Sequence, residues 1–271
     1  MSDIRINFLN AIVTRIDYED QIKIVDDILL KVKNICNGCG IEKIGNRMLE
    51  LERDFSTNDS VSFRDLSEEY VKTVLCKCYY NEEFAIEINP LFLRIIQQST
   101  EEYDSYQKSH LPIVKDIFCT LNVPLEQIIR ISVKKVDEVY YETLETMEKY
   151  FKSDILQNKV FGKKQNWDVP QAESKMIQNF EYDNFRVNFC RGIDRGMVRE
   201  KFASDQYRDK ILYRLLLDYE VYSRENIGGL QETLCNIDQV TEELFLEIFT
   251  EEGKQRLYQE EGGFENYVLC K

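Results

Sequence analysis

Within RDKILYRLLLDYEVYSRE, residues 212–222, LYRLLLDYEVY, alternate with a period of two, the pattern of a strand that has one buried and one wet face. Ile211, Tyr213, Leu215, Leu217, Tyr219 and Val221 fall on one side, and Arg214, Asp218 and Glu220 on the other. IIRISVKKVDEVYY, from Ile128, alternates in the same way. Further strands are expected in IRINFLNAIVTRI (4–16), where Ile4, Ile6 and Phe8 alternate, in GNRMLELERDF, EEYVKTVLCKCYY and EFAIEINPLFLRII, and in ESKMIQNFEYDNFRVNFCRGI. Asn81-Glu82 fits a short hairpin connection, and the polar segment 194–209 is expected to lie outside the strands.

Helical spacing appears between these runs. DYEDQIKIVDDILLKVKNI places Ile24, Ile28 and Val32 on one stripe, with Asp17 as its expected cap and an acidic first turn. EEYDSYQKSHLPIVKDIFCTL reads as a helix ending near Asn122, and TLETMEKYFKSDIL as a short one. TLCNIDQVTEELFLEIFTEEGKQRLYQ reads as one long amphipathic helix, with Leu244, Ile248 and Leu257 among its apolar positions. Strands that follow one another through short turns pair antiparallel, so the expected class is α+β: a mostly antiparallel sheet with covering helices. Paired strands followed by a helix occur at 69–121 and again at 176–258. One compact unit, 1–271, is therefore expected, with an element order that repeats as sub-halves 1–125 and 126–271. The most loop-like stretch, 157–172, holds the single tryptophan, Trp167.

Composition excludes several classes. With 49 acidic against 35 basic residues the net charge is −14, which argues against general nucleic-acid binding and suits a protein partner with a basic surface. No apolar run is long enough for a membrane helix, and MSDIRINFLN shows no export signal, so a cytoplasmic protein with reduced cysteines and no membrane role is expected. Glycine-rich phosphate cradles, a nucleophile elbow and kinase signatures are missing, and no cofactor is expected. A strand tunnel for triphosphates would need more inward charges, and its ExExK signature is not found in LELERDF. The only histidine, His110, rules out two-histidine zinc motifs and is expected to be a partly exposed helical residue.

Three constellations remain. CNGCG at 36–40 is read first as a turn after a helix, with Asn37-Gly38 supplying the left-handed residue. A zinc site pairing Cys36 and Cys39 with Cys76 and Cys78, and a redox pair, are the competing readings. RGIDRGMVREKF spaces Arg191, Arg195 and Arg199 four apart in a stretch, 186–214, with eight basic and four acidic residues. These arginines, with Arg214, are candidates for an anion clamp, against the plainer reading of a charged hairpin loop. Asp218 and Glu220, which Glu87 would join if its strand pairs nearby, are candidates for acid–base or metal work, against the reading of a wet sheet face. Residues 231–261 carry nine acidic and two basic side chains, and Glu242, Glu243, Glu247 and Glu251 are the candidate partner-binding face.

The strand IIRISVKKVDEV after LNVPLEQ, and ILYRLLLDYEVYSRE before a helix ending EIFTEEGKQRL, resemble a sporadically distributed bacterial family of similar length with no established activity. Where that family tends to show an R-x-x-x-R-Y-x-N strand, this chain has Lys134-Lys135 and Asp137. The resemblance implies an α+β fold, a bacterial cytosolic setting and an association with mobile or defence genes. The expected function is a non-enzymatic interaction or regulatory protein, antitoxin-like, immunity-like or part of a defence system. The alternative is an enzyme or sensor that holds a small anionic or nucleotide ligand through the arginines and nearby carboxylates.

Overall fold

The computed structural model describes residues 8–19, 21–51, 72–98, 104–156, 174–197, 211–224, 228–258 and 267–268. The strands are β1 (Leu9–Tyr18), β2 (Lys43–Leu51), β3 (Lys72–Tyr80), β4 (Phe84–Asn89), β5 (Phe92–Gln98), β6 (Ile128–Tyr141), β7 (Ser174–Tyr182), β8 (Phe185–Met197), β9 (Ile211–Ser223) and β10 (Tyr267–Val268). The α-helices are α1 (Asp26–Gly38), α2 (Leu111–Leu121), α3 (Leu144–Tyr150), α4 (Ser153–Leu156), α5 (Leu230–Glu247) and α6 (Glu251–Leu257). A π-helical turn, Tyr106–His110, leads into α2.

Nine strands form one sheet in the order β2-β3-β4-β5-β1-β6-β9-β8-β7, and every pairing is antiparallel. β10 pairs the end of β6 at Tyr140 and Tyr141, beyond the start of β1. The fold is thus α+β with an antiparallel sheet and covering helices. Its path is orderly. β1 leads through α1 to the far edge, β2 to β5 return to β1, and α2 follows. β6 leads through α3 and α4 to the other edge, β7 to β9 return to β6, and α5 follows. The two opening strands, β1 and β6, lie side by side in the middle.

The alternation in the sequence divides the sheet into two faces. Ile12 and Ile16 of β1, Ile131, Val133 and Val139 of β6, and Leu215, Leu217 and Val221 of β9 are fully buried on the helix-covered face. Val114 and Ile117 of α2 and Leu234 and Ile237 of α5 close over them. Removing one such side chain costs about 2–5 kcal/mol, the loss for a fixed-volume core position. Phe8, Phe151, Phe245 and Phe249 form a second aromatic layer, with Phe151 and Phe249 centroids 4.8 Å apart.

Four local expectations are corrected. β1 runs on to Tyr18, so Asp17 is a strand residue; Tyr18 and Ile22 amides donate to Leu91 and Pro90 carbonyls, and the helix begins only at Asp26. Ile4 and Ile6 lie outside the described residues. At the other end of α1, Asn37 and Gly38 are still helical, and Gly40 takes the left-handed conformation at φ 72°. The long last helix is two helices. The Lys152 amide donates to the Ile248 carbonyl at 2.8 Å and Phe249 pairs with Phe151, so the chain must leave helical geometry after Glu247. Finally β8 continues through 194–197, because all four residues pair with β9.

Candidate functional site

The open face of the sheet collects the charged candidates. Arg214, Asp218 and Glu220 share it, as period two requires, in half-buried positions on β9. Each faces an opposite charge on a neighbouring strand. Lys134 Nζ lies 2.6 Å from Asp218. Glu220 accepts from Arg130, and from Asn188 Nδ2 at 3.0 Å. Arg214 Nε donates to Asp194 at 3.0 Å and its Nη1 to Glu138 at 3.0 Å. The bonds to Asp194 push the Arg214 guanidinium pKa upward, against its partial burial. The Arg130 guanidinium also stacks 4.5 Å over Tyr222.

Glu87 does not join this group. Its strand is four steps from β9, roughly 19 Å at the usual spacing. It accepts from Arg94 Nε at 2.7 Å and from Arg47 Nη1 at 3.2 Å instead.

The arginine series divides. Arg191 sits in the middle of β8, on the helix-covered side, and is fully buried, which lowers its guanidinium pKa. Arg195 is exposed at the end of the same strand, 5.2 Å over the Tyr213 ring. The two lie roughly 13 Å apart along the chain direction, and Arg214 is on the opposite face. The expected convergence of Arg191, Arg195 and Arg214 on one anion is therefore not the arrangement in β8 and β9. Arg199 lies outside the described residues.

The two cysteine pairs fall on opposite sides of the sheet. Cys36 is buried in the helix-side core, and burial pushes its thiol pKa up to about 12. Cys39 is exposed just past the end of α1. Cys76 and Cys78 point to the open face, where Asn89 Nδ2 donates to Cys76 Sγ at 3.1 Å. Burial raises both of those thiols as well. A four-thiolate set across a sheet is not buildable from these positions, and among the described residues no three metal-ligating side chains cluster.

Along α5 and α6, Glu242 and Glu243 are half-buried, and Glu247 and Glu251 are exposed. Glu243 accepts from Tyr182 Oη at 3.0 Å, which raises that phenol's pKa. Glu247 accepts from Lys152 Nζ at 2.9 Å, which lowers the Glu247 pKa. Lys254 Nζ lies 3.8 Å from Glu247 and 3.5 Å from Glu251.

A buried polar group on the covered face went unnoticed in the sequence. Lys135 and Asp137 occupy apolar-parity positions of β6, 6% and 2% exposed. Lys135 ion-pairs with Asp238 of α5 and lies 5.3 Å from the Tyr106 ring; Gln107 also donates to Asp238. His110, expected to be partly exposed, is fully buried, stacked on Tyr106, with its Nε2 2.9 Å from Thr14 Oγ1. Burial, reinforced by Lys135, lowers its pKa to about 3. Burial raises the Asp137 carboxyl to about 7, and Tyr219 beside it is raised too. The signal was present: charges at positions 135 and 137 interrupt the row Ile131, Val133, Val139, Tyr141.

The described surface has a depression of about 190 Å³ at the β7–β8 turn, lined by Glu181, Asp183, Arg186, Tyr222 and Arg224 among others. Drug-sized ligands use sites of roughly 300–1,000 Å³. No helix among the described residues is long and apolar enough to cross a membrane. No family model matches the chain, and no curated protein matches it.

Proposed function

We propose that the chain is a non-enzymatic interaction or regulatory protein, of the antitoxin, immunity or defence kind, that binds a protein with a basic surface in the bacterial cytoplasm. The observation that carries this reading is the use made of its charges. Asp218, Glu220 and Arg214, the groups best placed for acid–base, metal or anion chemistry, are each matched to an opposite charge across the sheet. Such groups hold strands in register and have little of their charge left for a substrate. The seven described cysteines are free thiols, as a reducing compartment favours.

A basic partner is favoured by the net charge of −14 and by the carboxylates of α5 and α6. There Glu243, Glu247, Glu251 and Glu252 are set among Lys149, Lys152 and Lys254. A basic partner competes for the exposed ones, Glu247, Glu251 and Glu252, because surface pairs contribute little to the chain's own stability. The test uses wild type and a Glu242→Gln, Glu243→Gln, Glu247→Gln, Glu251→Gln chain as baits in extract from the native host. A basic protein held by wild type, released by salt and lost with the variant is expected. Equal capture by both baits contradicts the assignment of the surface.

A further inference from the structure

β7 (Ser174–Tyr182) is the outermost strand of the sheet; it pairs with β8, and among the described residues no strand lies on its other side. It has nine residues and no proline, with Ile177 63% and Phe180 37% exposed. A strand edge of this length offers a row of backbone donors and acceptors to another strand. The β7–β8 hairpin closes through Asp183-Asn184, with Asp183 at φ 51° and Tyr182 opposite Phe185. A two-residue turn closes on a pair that exchanges both backbone hydrogen bonds. Counting back in twos, Tyr182, Phe180, Gln178 and Met176 direct their amides and carbonyls to β8. Lys175, Ile177, Asn179 and Glu181 direct theirs outward.

An antiparallel copy of the same strand can pair only where an outward residue faces an outward residue. A two-fold axis at Gln178 meets that condition. It sets Lys175 opposite the second copy's Glu181, twice by symmetry, Met176 opposite Phe180, and Ile177 opposite Asn179. An axis at Ile177 would leave Lys175 facing Asn179, and one at Asn179 would set Ile177 against Glu181. The Gln178 register therefore pairs the charges of the strand and sets Met176 against Phe180. Glu181 is 78% exposed, with Arg186 3.8 Å away, so its carboxylate is accessible to a second cation.

We propose that two copies of this chain associate through antiparallel β7–β7 pairing about Gln178, joining their sheets into one. The two surfaces touch at the Tyr182–Glu243 bond, but the pairing uses the outward backbone of β7 with Lys175 and Glu181, and the basic-partner reading uses the carboxylates of α5 and α6, so either can fail alone.

The test is light scattering and sedimentation of the full chain at micromolar concentration, where a dimer is expected. Lys175→Glu or Glu181→Lys sets like charges opposite each other and should weaken the dimer about tenfold or more. The double reversal, Lys175→Glu with Glu181→Lys, restores the complementarity and should restore the dimer. Asn179→Pro removes an outward amide without touching the β7–β8 ladder and should give a monomer with unchanged circular dichroism. A monomeric wild type overturns the proposal. So does a dimer that persists unweakened in the folded Asn179→Pro chain or in both single reversals, or that the double reversal fails to re-form.

Discussion

His110 and Asp137 show how burial gives single residues opposite effects on stability. His110, held neutral with a pKa lowered to about 3, binds its proton more weakly in the fold than in the unfolded chain, where the value is 6.5. Its contribution is present above that unfolded value and is lost as pH falls through the folded one. Asp137, raised from 3.8 to about 7, binds its proton more tightly in the fold. Its contribution is full below the unfolded value and is lost as pH rises toward the folded one. Between about pH 4 and 6.5 the two slopes oppose each other, each approaching about 1.4 kcal/mol per pH unit. Relative to wild type, His110→Gln should therefore lose stability as pH rises through this window, and Asp137→Asn should gain it. Urea unfolding across the window measures both. Two variants whose curves run parallel to wild type would mean that neither group titrates as its burial dictates.

At the scale of elements, α6 packs closely on α3 at the junction that follows α5. Gly253 opens no turn; it is needed because α6 lies against α3. A Cβ there would sit 2.3 Å from the Tyr150 carbonyl oxygen and 3.1 Å from a Phe249 ring carbon. Thr250 fixes the approach, accepting from the Gly253 amide at 3.0 Å and donating to the Lys149 carbonyl at 2.9 Å. In an open helix Gly→Ala stabilises by about 1 kcal/mol. Here Gly253→Ala should destabilise by about 1–3 kcal/mol, the cost of overpacking, as read by denaturant unfolding. A stabilised variant would mean that α6 does not dock on α3.

The same junction marks where sequence pattern stops being informative. β6 and β9 were legible because one face is core and the other is water, so alternation carries the whole signal. The break after α5 was not, because Leu244 and Ile248 keep a four-residue helical spacing across it, and the cause is a tertiary pairing of Phe249 with Phe151. α1 was displaced for a similar reason. Asp17 and the acidic residues after it resemble a helix start, yet backbone bonds to Leu91 and Pro90 hold that segment extended. Arg191 was legible as an arginine and not as a buried one, since its face is fixed only by the pairing of β8 with β9.

At the scale of the molecule, one sheet carries two kinds of order. Its covered face is a continuous core interrupted by Lys135, Asp137 and His110. Its open face is ordered by charge, with Arg94–Glu87, Lys134–Asp218, Arg130–Glu220 and Arg214–Asp194 pairs along adjacent strands. β1 and β6 meet at its centre, so each half of the element order spreads outward from the same seam. The shared face explains why Arg214, Asp218 and Glu220 coincide: they are the wet side of one strand, each answered by a neighbour. Strand parity sends Arg191 and Arg214 to opposite faces, and the cysteines divide because Cys36 lies on α1 over the covered face while Cys76 and Cys78 lie on β3 and face the open side.

These open-face charges hold the strands in register, and the function proposed for the chain is to bind a partner. The most direct test is thermal unfolding of wild type and an Asp218→Asn, Glu220→Gln chain, each alone and with Mg²⁺ and nucleoside triphosphates. A ligand that binds only the native state must raise its unfolding temperature. No ligand-dependent rise is expected in either chain, with a modest loss of stability in the variant from the broken Lys134 and Arg130 pairs. A rise in wild type that the variant abolishes would contradict this expectation and would make Asp218 and Glu220 part of a ligand site.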